Sequence, residues 1–456
     1  MVEHRLFGTS GIRGVLNVDL TPKLALDVGL ALASYTNAGE VVLGRDTRVS
    51  SPLLEHSVTS GLLAGGSEVQ RLGLTPTPVL AFLTRKLKAD AGVMITASHN
   101  PPEYNGIKIF NSDSMAYNEE EQKEIEKIIN QKIFKRARWR DIKTPISLDE
   151  THRYPEAIKK AVALERRWRV VLDPGCGATC HVAPALFQML GCKVTVINGQ
   201  PDGFFPGRGP APDLETLRPL CEIVNHLHVD VAIAYDGDGD RMVVIDENGV
   251  IAPLDQTLAA YTRYLIGKHK RGVVVTTVEA SMCIEKIIEP LHGRVVRTRV
   301  GDVEVATAVK RQKAVFGGEP CGAWIHPQLH YCPDGILSSV LLLKALEDED
   351  KNLSSFVSDV PRYPILRQKL LCPHEAKSVV MENLQETLPS LYSEIKEKLD
   401  IDGVRLTLKN GWILVRPSGT EPLIRVTVEA ESHQEAENIM EKGIKQVKKS
   451  VEETTK

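Results

Sequence analysis

No apolar run in this 456-residue chain approaches the ~20 residues needed to cross a bilayer. Its first residues, Met1-Val-Glu-His-Arg5, lack the apolar stretch of a secretory signal, so neither export nor membrane insertion is expected. An excess of one charge is also missing: a formal net charge of −3 gives no basis for binding nucleic acid or an anionic membrane. The 8 cysteines are scattered rather than densely and evenly spaced, which excludes a small disulfide scaffold and suits reduced thiols in a cytoplasm. What remains is an ordinary globular composition on a chain too long for one core, so three or four domains are expected.

Strand-like runs followed by glycine-rich turns and helical stretches recur along the chain, as at Val41–Arg45, Arg169–Gly175, Val231–Ala234 and Gly272–Thr276. That alternation argues an α/β fold with mixed or parallel sheets. Charged or turn-rich stretches at 135–149, 249–253 and 351–361 divide it into segments of ordinary domain size. The last segment differs in kind. Strand-like Val404–Leu408, Trp412–Val415 and Leu423–Val428 precede a helix with a capping box at Ser432 and Glu435. Ala436, Ile439, Met440, Gly443 and Val447 share one face of that helix, which reads as a small α+β domain.

Three motifs carry chemistry. Thr96-Ala-Ser-His-Asn-Pro101 sets Ser98 on a short, proline-stopped turn, and Asn105-Gly-Ile-Lys108 follows; alone, a Ser-His pair of this kind is an ordinary turn. Asp236-Gly-Asp-Gly-Asp240 resembles a calcium loop, even to Glu247 at the twelfth position, but Arg241 stands where that loop needs glycine, and the flanks read as strands rather than helices. On an extended chain Asp236, Asp238 and Asp240 point the same way and can converge on one hard divalent cation, whose shell an oxygen on Ser98 could complete. Arg416-Pro-Ser-Gly-Thr420 lies between strand-like runs. Arg416, Ser418, Gly419 and Thr420 then form a connecting loop of hydrogen-bond donors suited to a phosphate, with Arg425 as a second guanidinium. Phe7-Gly-Thr-Ser-Gly-Ile-Arg-Gly14 surrounds Arg13 with glycines on the same logic. Nucleophile, metal site and anion cradle together are the parts of phosphoryl transfer.

These segments, with Gly44-Arg-Asp-Thr-Arg48 and Gly318-Glu-Pro-Cys-Gly322, resemble the α-D-phosphohexomutase superfamily from end to end and in the family's order. The resemblance implies three similar α/β domains and a smaller α+β domain around a central cleft: 1–150 with the serine loop, 151–252 with the metal loop, 253–357 with the sugar loop and 358–456 with the phosphate loop. It implies that Ser98 is phosphorylated, that Ser98, Asp236, Asp238 and Asp240 hold one Mg2+, and that Arg13 contacts the seryl phosphate. Lys108 becomes the general acid/base and His99 a neighbour that orients the site. Arg241 and Glu319 touch the sugar, whereas Arg416, Ser418, Gly419, Thr420 and Arg425 grip the phosphate that is not reacting. A hexose 1,6-bisphosphate is implied as intermediate or primer, hexose phosphates as the partners, and a monomer or homodimer as the assembly. Because the bisphosphate must turn around without escaping, the Arg416–Thr420 segment is expected to move as a lid. Lys108, taken to lie in a cation-rich cleft, is expected to titrate below its free value.

The sugar loop departs from the family's Gly-Glu-x-Ser-Gly-His, since Cys321 replaces the serine and Ala323 the histidine; His326 or His330 could reach in instead. Arg299-Val-Gly-Asp302 resembles the phosphoglucosamine mutases, and the Gly-Glu-Pro-Cys-Gly version looks archaeal. An amino sugar's ammonium could pair with Asp302 or Glu319, so glucosamine phosphate is favoured over mannose or glucose phosphate. Cys321, His326, His330 and Cys332 have the ligand types for zinc but no common zinc spacing, and structural zinc is not expected. A magnesium-dependent phosphatase and an inactive sugar-phosphate sensor are the competing readings from other classes.

Overall fold

The computed structural model describes residues 5–8, 10–419 and 421–455; the N-terminal residues 1–4, Thr9, Lys456 and Thr420, the last an expected phosphate ligand, lie outside the described residues. Two compact units are present, one of Met1–Thr257 with Gly301–Ser358, the other of Leu258–Val300 with Asp359–Lys456.

The first unit opens on a six-stranded mixed sheet of β1 (Ile12–Val15), β2 (Glu40–Arg45), β3 (Glu68–Leu74), β4 (Ala91–Ile95), β5 (Tyr104–Asn111) and β6 (Ile146–Ser147), in the order β1-β5-β4-β2-β3-β6. β2 runs parallel to β3 and β4, while β5 is antiparallel to both β4 and β1. The apolar run Val41-Val-Leu43 explains the layering. Val41 and Leu43 enter one core with the helices Pro22–Tyr35 and Ser51–Ala64, and Val42 enters another with Leu80 of the helix Thr77–Leu87. Both faces are thus buried, as parallel strands require. The same alternation on β5 sends Ile107 and Ile109 to the first core and Lys108 to the opposite face, where it is buried and in register with Met94.

A second sheet follows, of β7 (Arg169–Asp173), β8 (Lys193–Val196), β9 (Val231–Tyr235) and β10 (Met242–Ile245), in the order β10-β9-β7-β8. β9 and β10 are antiparallel and in register from Tyr235↔Met242, so Asp236–Arg241 is their tight connection. The unit also holds the antiparallel pair Phe316–Gly318 and Trp324–Ile325, and the helices Asp302–Gln312 and Gly335–Asp348.

In the second unit Gly272–Thr277 runs parallel to Gly293–Thr298, and five antiparallel strands follow in the order Ile365–Leu371, Leu423–Ala430, Gly411–Pro417, Val404–Leu408, Ile395–Leu399. Ile413 and Val415 pack under the helix His433–Thr455, whose buried face includes Ala436, Ile439, Met440, Gly443 and Val447 as the spacing predicts. Trp412 and Leu414 turn the other way, onto Val278. Only half of the expected capping box stands. Ser432 accepts from the Glu435 N–H at 3.3 Å, but the Glu435 carboxylate accepts from Asn410 Nδ2 at 3.0 Å, a partner that the strand-to-helix turn brings closer. Arg416, expected in a loop, lies on the strand, in register with Arg425.

Candidate active site

Ser98 sits just past β4 in the left-handed region, at φ 54°, and is fully enclosed. A serine rarely adopts that conformation unless its surroundings impose it. Here the backbone N–H of Ser98 donates to Thr96 Oγ1 at 2.9 Å, while Thr96 Oγ1 donates to Asp46 Oδ2 at 2.7 Å. The hydroxyl donates to Asp236 Oδ2 at 2.7 Å and lies 3.2 Å from His99 Nδ1. Burial, then Arg241 and Arg13, hold His99 down to about 4, so its ring is neutral near pH 7. Arg13, on β1, reaches across the loop to Asn100 Oδ1 at 2.9 Å, and its buried Nε has no hydrogen-bond partner.

The three aspartates do converge, their oxygens all within 4.8 Å of one another, and among the described residues no other group of this kind is found. The convergence comes from a turn rather than from an extended chain. Gly239 has a φ of 79°, and Asp236 Oδ1 accepts from the N–H groups of Gly239 and Arg241 at 3.0 and 3.2 Å. A β-carbon at Gly237 would stand 2.6 Å from the Ser98 carbonyl oxygen, so glycine there lets the metal loop lie against the serine loop. Asp238 Oδ1 and Asp240 Oδ1 are buried without a hydrogen-bond partner. Orphaned carboxylate oxygens side by side are costly unless a cation takes them, and an all-oxygen set fits a hard divalent ion. Burial, then Asp240 and Asp238, push Asp236 well above the usual carboxylate range.

Lys108 corrects an expectation. Its Nζ donates to Asp238 Oδ2 at 2.7 Å and Asp240 Oδ2 at 2.6 Å. Burial alone would lower its pKa, but Asp238 and Asp240 outweigh burial and raise it. The cleft that Lys108 occupies is anionic at this point, so its resting form is the ammonium.

The sugar-loop residues gather nearby. Glu319 Oε2 accepts from the Gly301 N–H at 3.1 Å, and Asp302, at the start of its helix, accepts from Ser10 Oγ at 3.0 Å. Burial, with Asp302 adding to it, raises Glu319 to about 7, while burial pushes the Cys321 thiol up to about 12. Arg241 bridges to Ala323, which brings the metal loop beside the Glu319–Gly322 turn. The two histidines already have buried partners. His326 Nε2 lies 2.9 Å from Ser338 Oγ and His330 Nε2 lies 2.9 Å from Asp334 Oδ2; both are buried, so they anchor this loop to the helix Gly335–Asp348.

In the second unit, Arg416 donates from Nε to Asp402 Oδ1 at 3.0 Å and from Nη1 to Glu279 Oε1 at 2.7 Å, and Arg425 donates to Glu421 Oε2 at 2.8 Å. Ser418 Oγ accepts from the Glu421 N–H at 3.1 Å, and Gly419 is exposed with open space where a side chain would be.

Several residues of these sites escape a reading of motifs. Thr77 Oγ1 donates to Asp238 Oδ2 at 2.6 Å, at the start of its helix. Arg208 donates from NH2 to the Tyr235 carbonyl at 2.6 Å and from Nε to Asp173 at 2.7 Å, fixing the end of β9 where the metal loop begins. Lys377 donates to the carbonyls of Ser418 and Glu421 at 2.6 and 2.5 Å. Arg48, visible in the sequence only as part of a motif, lies under the serine loop.

Four models for one family match in order: "Phosphoglucomutase/phosphomannomutase, alpha/beta/alpha domain I" over residues 4–136, domain II over 152–249, domain III over 253–363 and the C-terminal domain over 373–446. The chain is 46% identical to a "Probable phosphoglucosamine mutase" of Pyrococcus abyssi, an alignment covering 99% of each chain. It is 44% identical to the phosphoglucosamine mutase of Methanocaldococcus jannaschii, covering 98% of this chain and 99% of that one. Among solved structures, a phosphoglucomutase/phosphomannomutase family protein from Burkholderia thailandensis superposes with a TM-score of 0.89 at 25% identity, covering 99% of this chain and 98% of that one.

Proposed function

Because the chain belongs to the phosphoglucomutase/phosphomannomutase family, we propose that it interconverts glucosamine 6-phosphate and glucosamine 1-phosphate with Ser98 as phosphoryl carrier. The observation that carries this reading is the buried Ser98 hydroxyl 2.7 Å from Asp236, beside the three clustered aspartates and Lys108. The choice of sugar rests on the similarity to phosphoglucosamine mutases over nearly the whole chain, and on Glu319, whose carboxyl is raised by burial and then by Asp302, a repulsion that an ammonium on the sugar would relieve. We place this chemistry in the cytoplasm; among the described residues no helix is long and apolar enough to cross a membrane.

In the first half-reaction the bond between phosphorus and Ser98 Oγ breaks, a bond forms to O1 of the sugar 6-phosphate, and the O1 proton passes to a base. In the second half the O6–phosphorus bond of the turned bisphosphate breaks, the phosphoryl returns to Ser98 Oγ, and O6 regains a proton. Asp236, Asp238 and Asp240, with a phosphoryl oxygen on Ser98, would hold Mg2+, which when bound offsets charge on the transferring oxygens. Arg13, with its partnerless Nε, donates to the seryl phosphate. Lys108 is the proton carrier, and its basic form requires that the charge of Asp238 and Asp240 be offset first. His99, neutral, orients the serine oxygen. Arg241, Glu319 and Cys321 contact the sugar, and Arg416, Ser418, Gly419, Thr420 and Arg425 hold the idle phosphate while their segment loosens and regrips as the bisphosphate turns.

Intact-mass measurement of Ser98 phosphorylation, coupled to an isomerisation assay on glucosamine, glucose and mannose phosphates, tests the reading. A reversible single phosphoryl on Ser98 and a preference for the glucosamine esters are expected. Steady release of inorganic phosphate without isomerisation would instead make the protein a phosphatase, and faster turnover of mannose or glucose phosphate would overturn the choice of sugar.

A further inference from the structure

The guanidinium of Arg48 is wholly enclosed and binds main chain and the Asp46 carboxylate rather than anything that reacts. Nη2 donates to the carbonyls of Ser98 at 2.8 Å and Asn100 at 2.7 Å, and Nη1 to those of Pro101 at 2.6 Å and Tyr104 at 2.9 Å. Nε donates to Asp46 Oδ2 at 3.0 Å, and the other Asp46 oxygen accepts from Ser51 Oγ at 2.6 Å and from the Arg48 N–H at 3.0 Å. One planar fork thus holds four carbonyls between Ser98 and Tyr104. Phe205, 5.3 Å from the guanidinium carbon, closes its face.

This arrangement is more than loop stability requires. Ser98 holds a left-handed backbone conformation, and its carbonyl is held by Arg48 where the metal loop leaves no room for a side chain at Gly237. Its N–H is fixed by Thr96, whose hydroxyl is itself fixed by the Asp46 carboxylate that Arg48 binds. Every main-chain group that sets the direction of the Ser98 Cα–Cβ bond therefore leads back to the Arg48–Asp46 pair. A five-donor fork can satisfy this set, whereas an ammonium has three donors and no plane.

Taking Ser98 as the phosphoryl carrier, we infer that Arg48 is a positioning residue for phosphoryl transfer, holding the serine oxygen in line through the backbone without touching substrate. A displacement of about 1 Å in a reacting atom costs on the order of 10²-fold in rate, so Arg48→Lys lowers kcat by roughly that factor. KM for the sugar monophosphate is unchanged, because the phosphate grip lies elsewhere. Phosphoryl uptake from hexose 1,6-bisphosphate, followed by intact mass, slows in parallel yet still runs to full Ser98 occupancy. Thr96→Val, which keeps the shape and removes both hydroxyl bonds, shows the same split with a smaller rate loss and decides the matter if Arg48→Lys does not fold. A folded variant with kcat within about threefold of wild type, or uptake at the normal rate to partial occupancy, would overturn the inference, the second because it reports a misfolded fraction. Ser98→Ala runs beside them: if it keeps turning over sugar phosphate the carrier role itself fails, whereas a dead Ser98→Ala with a normal Arg48→Lys removes only the positioning role.

Discussion

The serine loop and the phosphate loop are both tied from beneath by a buried cation that donates to backbone carbonyls, yet they are built to different ends. Under the serine loop, Arg48 engages four carbonyls, and the Thr96 hydroxyl takes the Ser98 N–H. Under the phosphate loop, Lys377 engages two, and the guanidiniums above it sit in ion pairs with Glu279, Asp402 and Glu421 that water partly reaches. Of these, the Arg425–Glu421 pair is nearly half exposed and contributes little to stability, so under the proposed function an incoming phosphate would displace that carboxylate at small cost. A loop that hosts bond-making has to stay where it is. One that grips an idle group, releases it and grips its successor has to exchange partners, and carboxylates serve as temporary occupants.

The largest expected effect tests the fixed side. Lys108→Ala removes the proposed proton carrier and should lower kcat by about 10²-fold, the usual contribution of a general acid/base. KM should change little, since Lys108 is bound to Asp238 and Asp240 rather than set in the anion grip. Steady-state kinetics at saturating sugar phosphate check this, and a loss under threefold would remove the lysine from the chemistry.

On the exchangeable side, Lys377→Met leaves the Ser418 and Glu421 carbonyls without their charged donor. Losing such bonds costs about 1.5–3 kcal/mol, so KM is expected to rise at least ~10-fold, with kcat at saturation falling far less. The opposite pattern, a lower kcat at constant KM, would mean that this loop too is part of the fixed machinery, and the contrast between the two loops would collapse.

How much of this was legible in the sequence depends on how local each feature is. Asp236, Asp238 and Asp240 were readable because one short turn brings them together, and Ser98 because its motif carries it. The charge state of Lys108 was not readable, since its immediate neighbours are Ile107 and Ile109 while the carboxylates that hold it come from the β9–β10 turn of another sheet. His326 and His330 looked free to reach a sugar until the helix Gly335–Asp348 supplied Ser338, and its N-cap Asp334, as their partners. Arg48 and Lys377 stayed hidden for a related reason: main-chain carbonyls have no sequence signature, so a side chain that binds mostly backbone looks like a surface cation until the fold closes over it. The α/β layering, by contrast, was legible because apolar runs that must bury both faces have few other solutions.

The smallest effect is also the sharpest test of the exchange idea. Glu421 is held below the usual carboxylate range, first by the hydrogen bond from Arg425 and then by Lys369. Both partners of the pair are nearly half exposed, so removing the charge should hardly alter stability. If the carboxylate is a temporary occupant, Glu421→Gln frees the Arg425 guanidinium and lowers KM by about threefold, with kcat falling slightly as product leaves more slowly. The difference should shrink as salt is raised, because screening weakens the competition that the carboxylate offers. An increase in KM would show instead that Glu421 orients Arg425 for the phosphate, which would make the pair part of a preformed grip like the one beneath Ser98.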